Sequence, residues 1–174
     1  MNRRSAVFYA VMTLLMVAMT PIFNKMGGVF DAKAEVCAAF LITIAPYAGY
    51  WTLAYAAAAG LLLDVQMGAF FGCNILFYCA FSLLAFQFSS MEKSTFVPCL
   101  ITSVGYVCAT WLFDVLIAFF KGFPVDFYAG LVKTVFPSAV LTAVITALFA
   151  WIMHGVHKSA WLRVRESSMG VRYR

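Results

Sequence analysis

Gly60-Leu61-Leu62-Leu63-Asp64-Val65-Gln66-Met67-Gly68-Ala69-Phe70-Phe71-Gly72-Cys73-Asn74 sets an acid, amide side chains and three glycines into a chain that is otherwise strongly apolar. Asp64 ends a run that carries no other charge from Val36 onward, and no charge follows until Glu92. Ala56, Gly60, Asp64, Gly68 and Gly72 recur at every fourth position. On a helix that spacing keeps neighbours near one face. A polar, glycine-bearing turn between two uncharged tracts reads as the end of one membrane helix and the start of the next.

Composition fixes the class. Of 174 residues, 64% are apolar, 17% aromatic and only 11% charged, with a mean hydropathy of +0.93. A soluble domain does not have these proportions. The charges fall in short clusters separated by apolar runs near the ~20 residues that cross a bilayer as helix, without the ten-residue alternation of a β-barrel. An all-α, polytopic membrane helical bundle is expected. The net charge of +5 gathers at the two ends, at Arg3, Arg4, Lys158, Arg163, Arg165, Arg172 and Arg174. Positive-inside retention explains that pattern better than nucleic-acid binding. Met1-Asn-Arg-Arg and the apolar run after it resemble a signal peptide but continue past Met19 without a small-x-small cleavage site, so a signal anchor is expected.

About six spans are expected, at 5–23, 35–47, 49–64, 69–88, 96–120 and 129–154, with 1–158 as the bundle and 159–174 as a basic cytoplasmic tail. The tract from Cys37 to Val65 is too long for one crossing, and Pro46 with Gly49 suggests a tight turn that makes it a helical hairpin. With six spans, eight Lys and Arg (Arg3, Arg4, Lys93, Lys158, Arg163, Arg165, Arg172, Arg174) share one side and four (Lys25, Lys33, Lys121, Lys133) the other. Both termini are therefore expected inside. Asp64, Asn74 and Asp114 then approach one depth at the outer end.

A carboxylate facing hydrocarbon is costly, so Asp64 and Asp114 should face the interior, a partner or water. Asp64 near a helix end can cap the following turn through its side chain. The small residues Ala54, Ala56, Ala57, Ala58, Ala59 and Gly60 suit close helix packing, within the bundle or against another membrane protein. Ser138, Thr142 and Thr146 recur every four residues and read as interhelical hydrogen bonding. His154 and His157, beside Lys158 and Trp161, read as a headgroup anchor; anionic lipid is the expected partner of the basic tail. The five cysteines lie scattered in apolar segments without CxxC spacing and read as packing residues. No HExxH, P-loop or GxSxG occurs; no catalytic, cofactor or metal residue is assigned.

On these residues the chain resembles the MreD family of bacterial rod shape-determining membrane proteins. Gly60-Leu61-Leu62-Leu63-Asp64, then Gly68, Phe71-Gly72 and Asn74, is similar to that family's G-L-L-x-D … G … x-G-x-N segment, and Phe136-Pro137-Ser138 with the basic exit from His154 to Lys158 is similar as well. Its aromatic richness, Cys73 before Asn74, and Asp114 depart from the family pattern. The resemblance implies a non-enzymatic component of the elongation machinery in the bacterial cytoplasmic membrane. Such a protein binds MreC and acts with MreB filaments, RodA-type glycosyltransferases and penicillin-binding transpeptidases in lateral peptidoglycan synthesis. It also implies a fold similar to energy-coupling-factor substrate-binding subunits. The Ala56–Gly60 face and the Asp64 turn are then expected to shape a surface for a partner's single membrane helix.

The alternative is a substrate-binding subunit of an energy-coupling-factor vitamin transporter, also a small six-helix bundle with an acid-bearing, glycine-rich segment. Such subunits usually place several polar groups on their outer loops. Asn24, Lys25, Asp31, Lys33, Gln66 and Asp126 are a thin set for that purpose. A small intramembrane enzyme is a third reading, with no nucleophile and base to carry it.

Overall fold

A computed structural model describes residues 3–26, 33–67, 72–91, 95–123 and 126–158. Gly68 and the 159–174 tail lie outside the described residues. The described chain is helical: α1 (Arg3–Met26), α2 (Val36–Ala48), α3 (Trp51–Met67), α4 (Cys73–Met91), α5 (Phe96–Phe120), α6 (Phe127–Gly130), a π-helical turn (Leu131–Val135) and α7 (Phe136–Lys158). The last three run on as one rod, giving six rods in all. Among the described residues, four stretches are long and apolar enough to cross a membrane: Ser5–Ile22, Cys73–Met91, Phe96–Phe120 and Phe127–His157.

The bundle is organised around α2. It is apolar on every side, and Val36 through Ala45 are buried without interruption. A helix with no polar face has to be surrounded. Five neighbours do this: α1, α3, α4, α5 and α7 all touch it. The ring runs α1, α3, α4, α5, α7, each in contact with the next. Between α7 and α1, the Tyr9 hydroxyl lies 3.2 Å from His157 Nε2. At 13 residues, α2 is only about 20 Å long by its 1.5 Å rise per residue, shorter than the ~30 Å of bilayer hydrocarbon. It is a central post rather than a lipid-facing span.

Three expected boundaries change. The residue that turns the chain between α2 and α3 is Gly49, at φ +59°, while Pro46 sits inside the last turn of α2. Pro46 has no N–H to give the Ile42 carbonyl one turn back, and the Cys99 thiol points to that carbonyl at 3.6 Å instead. Helix α3 does not stop at Asp64 but runs on through Gln66 to Met67. Helix α4 begins at Cys73 rather than at 69, because Gly72 takes φ +99°, a conformation that excludes it from the helix.

The π-helical turn has a local cause. Pro137 has no N–H and its ring crowds the carbonyl of the preceding turn; an extra residue just before it widens the helix there. A Cβ placed on Gly130 would sit 3.2 Å from Trp111 Cζ2, so the glycine lets this turn close onto α5. Outward faces are apolar: Val7, Val11 and Leu14 on α1, Leu112 and Leu116 on α5, and Val140, Val144 and Leu148 on α7 are all exposed. In water that surface would be a liability; in hydrocarbon it is the matching solvent.

Candidate functional site

Asp64 is 4% exposed, and both of its oxygens are used. Oδ2 accepts from the Gly72 N–H at 2.8 Å. Oδ1 accepts from the Asn74 N–H at 3.2 Å and from Asn74 Nδ2 at 2.8 Å. The first N–H groups of a helix have no partner within it. For α4 those of Gly72 and Asn74 are taken by a carboxylate belonging to the previous helix. Negative charge beside the positive end of a helix adds to the effect. This is a cap supplied in trans: the acid lies within the last turn of α3 and closes the first turn of α4.

Close approach makes that reach possible. A Cβ built on Gly60 would lie 2.5 Å from Ile75 Cα, 2.6 Å from Ile75 N and 2.9 Å from the Asn74 carbonyl carbon. No side chain fits there; backbone meets backbone. One turn earlier, Ala56 is fully buried, and Ala59 with it, whereas Ala54 and Ala58 are exposed. The Ala56–Gly60 face is therefore spent within the bundle. Of the two readings of those small residues, packing within the bundle is the one these contacts fit.

Of the three polar groups expected near one depth, two are joined by hydrogen bonds. Asp64 and Asn74 meet, but Asp114 is exposed on α5 and stands apart from their hydrogen bonds. It lies six residues before the end of that helix, about 9 Å along the axis. Its one-turn neighbours on α5, Thr110, Trp111, Ile117 and Ala118, are half-buried, whereas the exposed Leu112 and Leu116 lie on another side of the helix.

Sequence reasoning passed over Glu35. It stands at the entrance to α2, within electrostatic reach of Lys33, Asp114, Tyr78 and Tyr106. A lone acid immediately before the long uncharged tract carried no spacing signal. The hydroxyl stripe of α7 was a better guide. Ser138 Oγ accepts from the Lys33 N–H at 3.0 Å, and Thr142 Oγ1 accepts from the Glu35 N–H at 3.4 Å. Thr146 instead donates back to the Thr142 carbonyl at 2.8 Å. Two of the three hydroxyls thus bind the extended segment that leads into α2.

At the opposite end His157 is not a headgroup anchor. Its ring is stacked on Tyr9 at a centroid distance of 6.3 Å and tilted against Tyr47 at 4.1 Å, tying α1, α2 and α7 together. His154 is exposed. Cys37 and Cys99 are buried, and the Cys99 thiol points to the Ile42 carbonyl at 3.6 Å. Among the described residues no three His, Cys, Asp or Glu side chains gather as a metal site would require. Of the outer-end polar residues a transporter would turn to its substrate, Asp126 instead accepts from the Ala129 N–H and caps its own helix.

Comparison with models of known protein families, with curated proteins and with solved structures finds no match.

Proposed function

We propose that the chain is a non-enzymatic membrane component of the bacterial elongation machinery, of the MreD type, with both termini in the cytoplasm. The observation that carries the reading is the cap in trans. Gly60, Asp64, Gly72 and Asn74 are four of the residues on which the resemblance rests, and each has a defined part in one junction: Gly60 admits the backbone of α4, Asp64 supplies the acceptors, Gly72 makes the turn and Asn74 returns a hydrogen bond. A motif whose described residues Gly60, Asp64, Gly72 and Asn74 join two helices suits a scaffold, which needs a rigid outline rather than a reactive group.

With the Ala56–Gly60 face covered, the partner's single helix packs instead on the outward face of α5 around Asp114. An exposed carboxylate inside an apolar helix is costly where it meets lipid and is offset by a basic or hydrogen-bonding residue brought by a partner. MreC is the partner in this proposal, with MreB filaments, a RodA-type glycosyltransferase and a penicillin-binding transpeptidase further along the assembly.

Depletion of the protein followed by microscopy tests the function: rod-shaped cells are expected to round up. Cells that keep their shape after verified loss, with no second copy of the gene, overturn the proposal. For the surface, Asp114→Ala is expected to reduce co-purification of the MreC-type partner at least tenfold at unchanged membrane abundance. Unchanged co-purification places the contact elsewhere.

A further inference from the structure

A groove of about 410 Å³ opens between α2, α5 and α7 at the end of the bundle where α2 stops and α5 begins. Tyr47 of α2, Phe96 and Cys99 of α5, and Ala150 and Trp151 of α7 line it. We infer that this groove holds one acyl chain of an anionic phospholipid, with the phosphate at the rim formed by the start of α5 and His154. The inference needs only that the bundle lies in a membrane, and is independent of any role in cell shape.

Three observations lead to that occupant. The first is that the groove wall offers little to a polar ligand. The Thr43 hydroxyl donates to the Ala39 carbonyl at 2.6 Å, and the Cys99 thiol is turned to the Ile42 carbonyl. One face of the Tyr47 ring is covered by His157. With the Thr43 hydroxyl and the Cys99 thiol engaged and Phe96, Ala150 and Trp151 making up much of the wall, a polar guest would lose its water and gain few hydrogen bonds, whereas a hydrocarbon loses nothing.

The second is size and surroundings. The mouth opens beside Trp151, 75% exposed, with Ile152 and Phe96 exposed nearby, on the apolar outer surface of α5 and α7. A partner helix 10–12 Å across would fill about 410 Å³ with roughly one turn of its length, so it would cover the groove rather than enter it. A single flexible chain from the surrounding leaflet enters.

The third is charge. Thr95, at the rim, is the N-cap residue of α5 but makes no capping bond with its side chain. Thr95 and Phe96, at the start of that 25-residue helix, both line the groove, so the positive end of the helix, with the Phe96 and Val97 N–H groups as its first donors and none from Pro98, lies beside it. A phosphate group satisfies such an end. His154 is exposed on the facing helix and lines the same rim, and Lys158 ends that helix one turn further on. A Trp beside basic residues is also the pairing found at headgroup level.

Native mass spectrometry of the full chain in detergent, titrated with dioleoylphosphatidylglycerol and separately with dioleoylphosphatidylcholine, tests this. The wild type should take up one equivalent of phosphatidylglycerol before any further binding, at least tenfold more tightly than phosphatidylcholine. Ala150→Phe, which fills the groove, should weaken that first equivalent at least tenfold while the melting temperature stays that of the wild type. His154→Glu changes only an exposed rim residue and should erase the preference for phosphatidylglycerol without abolishing uptake of either lipid; it decides the matter if Ala150→Phe does not fold. Equal binding by a folded Ala150→Phe protein, no discrimination by the wild type, or a preference unmoved in His154→Glu each overturns the inference. So does a co-purifying membrane protein whose loss in Ala150→Phe leaves lipid uptake unchanged.

Discussion

The carboxylate of Asp64 and the side-chain amide of Asn74 are joined by a 2.8 Å hydrogen bond from α4 back to α3. The same oxygen also accepts from the Asn74 backbone N–H, and its partner oxygen from Gly72. Hydrogen bonds to a charged acceptor are worth about 1.5–3 kcal/mol each, against about 1 for neutral pairs. Asp64→Ala should therefore destabilise the folded protein by about 3 kcal/mol, Asp64→Asn by about 1–2, and Asn74→Ala by about 1. Thermal unfolding in detergent, followed by circular dichroism, ranks the three. In the double-mutant cycle the Asp64 and Asn74 effects should fail to add by about 1 kcal/mol. Strict additivity would mean that the two side chains act separately.

Gly60 and Gly155 give opposite expectations for the same substitution. At Gly60 the added methyl group meets the Ile75 backbone at 2.5 Å, and backbone cannot swing aside as a side chain can. Gly60→Ala should cost about 1–3 kcal/mol by overpacking, and Gly60→Leu should fail to accumulate in the membrane. Around Gly155, in α7, a Cβ meets nothing within 4 Å. There alanine only restricts the unfolded chain, and Gly155→Ala should stabilise by about 0.5–1 kcal/mol. Melting temperatures moving in the same direction for both alanine variants would contradict the close approach at Gly60.

These two positions also mark what could be read from the residues alone. The polar turn, the close-packed helices beside it and the full extent of α5 at Phe96–Phe120 follow from local signals: charge spacing, glycine placement and the length of an apolar run. Asp64 as a capping residue was legible for the same reason. Which helix it caps, and that Gly60 faces α4 rather than a partner, depend on where two helices cross, and periodicity does not carry that information. Asp114 shows the limit from the other side. An acid within a hydrophobic stretch is legible as exceptional, but its outward aim is set by the rotation of α5 against α2 and α7. Glu35 was passed over and His157 misread because their surroundings come from more than 70 residues away: Asp114 lies within electrostatic reach of Glu35, and Tyr9 and Tyr47 pack against His157.

Within the stripe of α7, the three hydroxyls should behave differently. Ser138 and Thr142 accept from the backbone N–H groups of Lys33 and Glu35. Ser138→Ala and Thr142→Val leave those donors without their acceptor, a loss of about 1–3 kcal/mol apiece when the site is closed to water. Thr146 is equally buried but bonds only to the carbonyl one turn back, which already has a helical partner. Thr146→Val keeps the shape and removes no partner from another segment, so its cost should stay below about 1 kcal/mol. Hydrogen exchange at Lys33 and Glu35 supplies a local readout: protection should fall in the first two variants and hold in the third.

Cysteine chemistry tests the orientation. Cys37 and Cys99 are buried, while Cys79 and Cys108 lie half-buried in the middle of α4 and α5. A thiol reacts as thiolate, a form that hydrocarbon suppresses. Cys73 differs: it is the first residue of α4, half-exposed, immediately after the turn at Gly72. With both termini in the cytoplasm this turn faces outward. A membrane-impermeant maleimide applied to spheroplasts with sealed inner membranes should label the wild type at one site, and Cys73→Ala should abolish the signal. Detergent and denaturant together should expose all five thiols. Labelling of Cys73 that appears only in inverted vesicles would reverse the orientation. In that case the Asp64 cap and the exposed Asp114 would lie at the cytoplasmic face, and a contact at Asp114 would have to be made from that side.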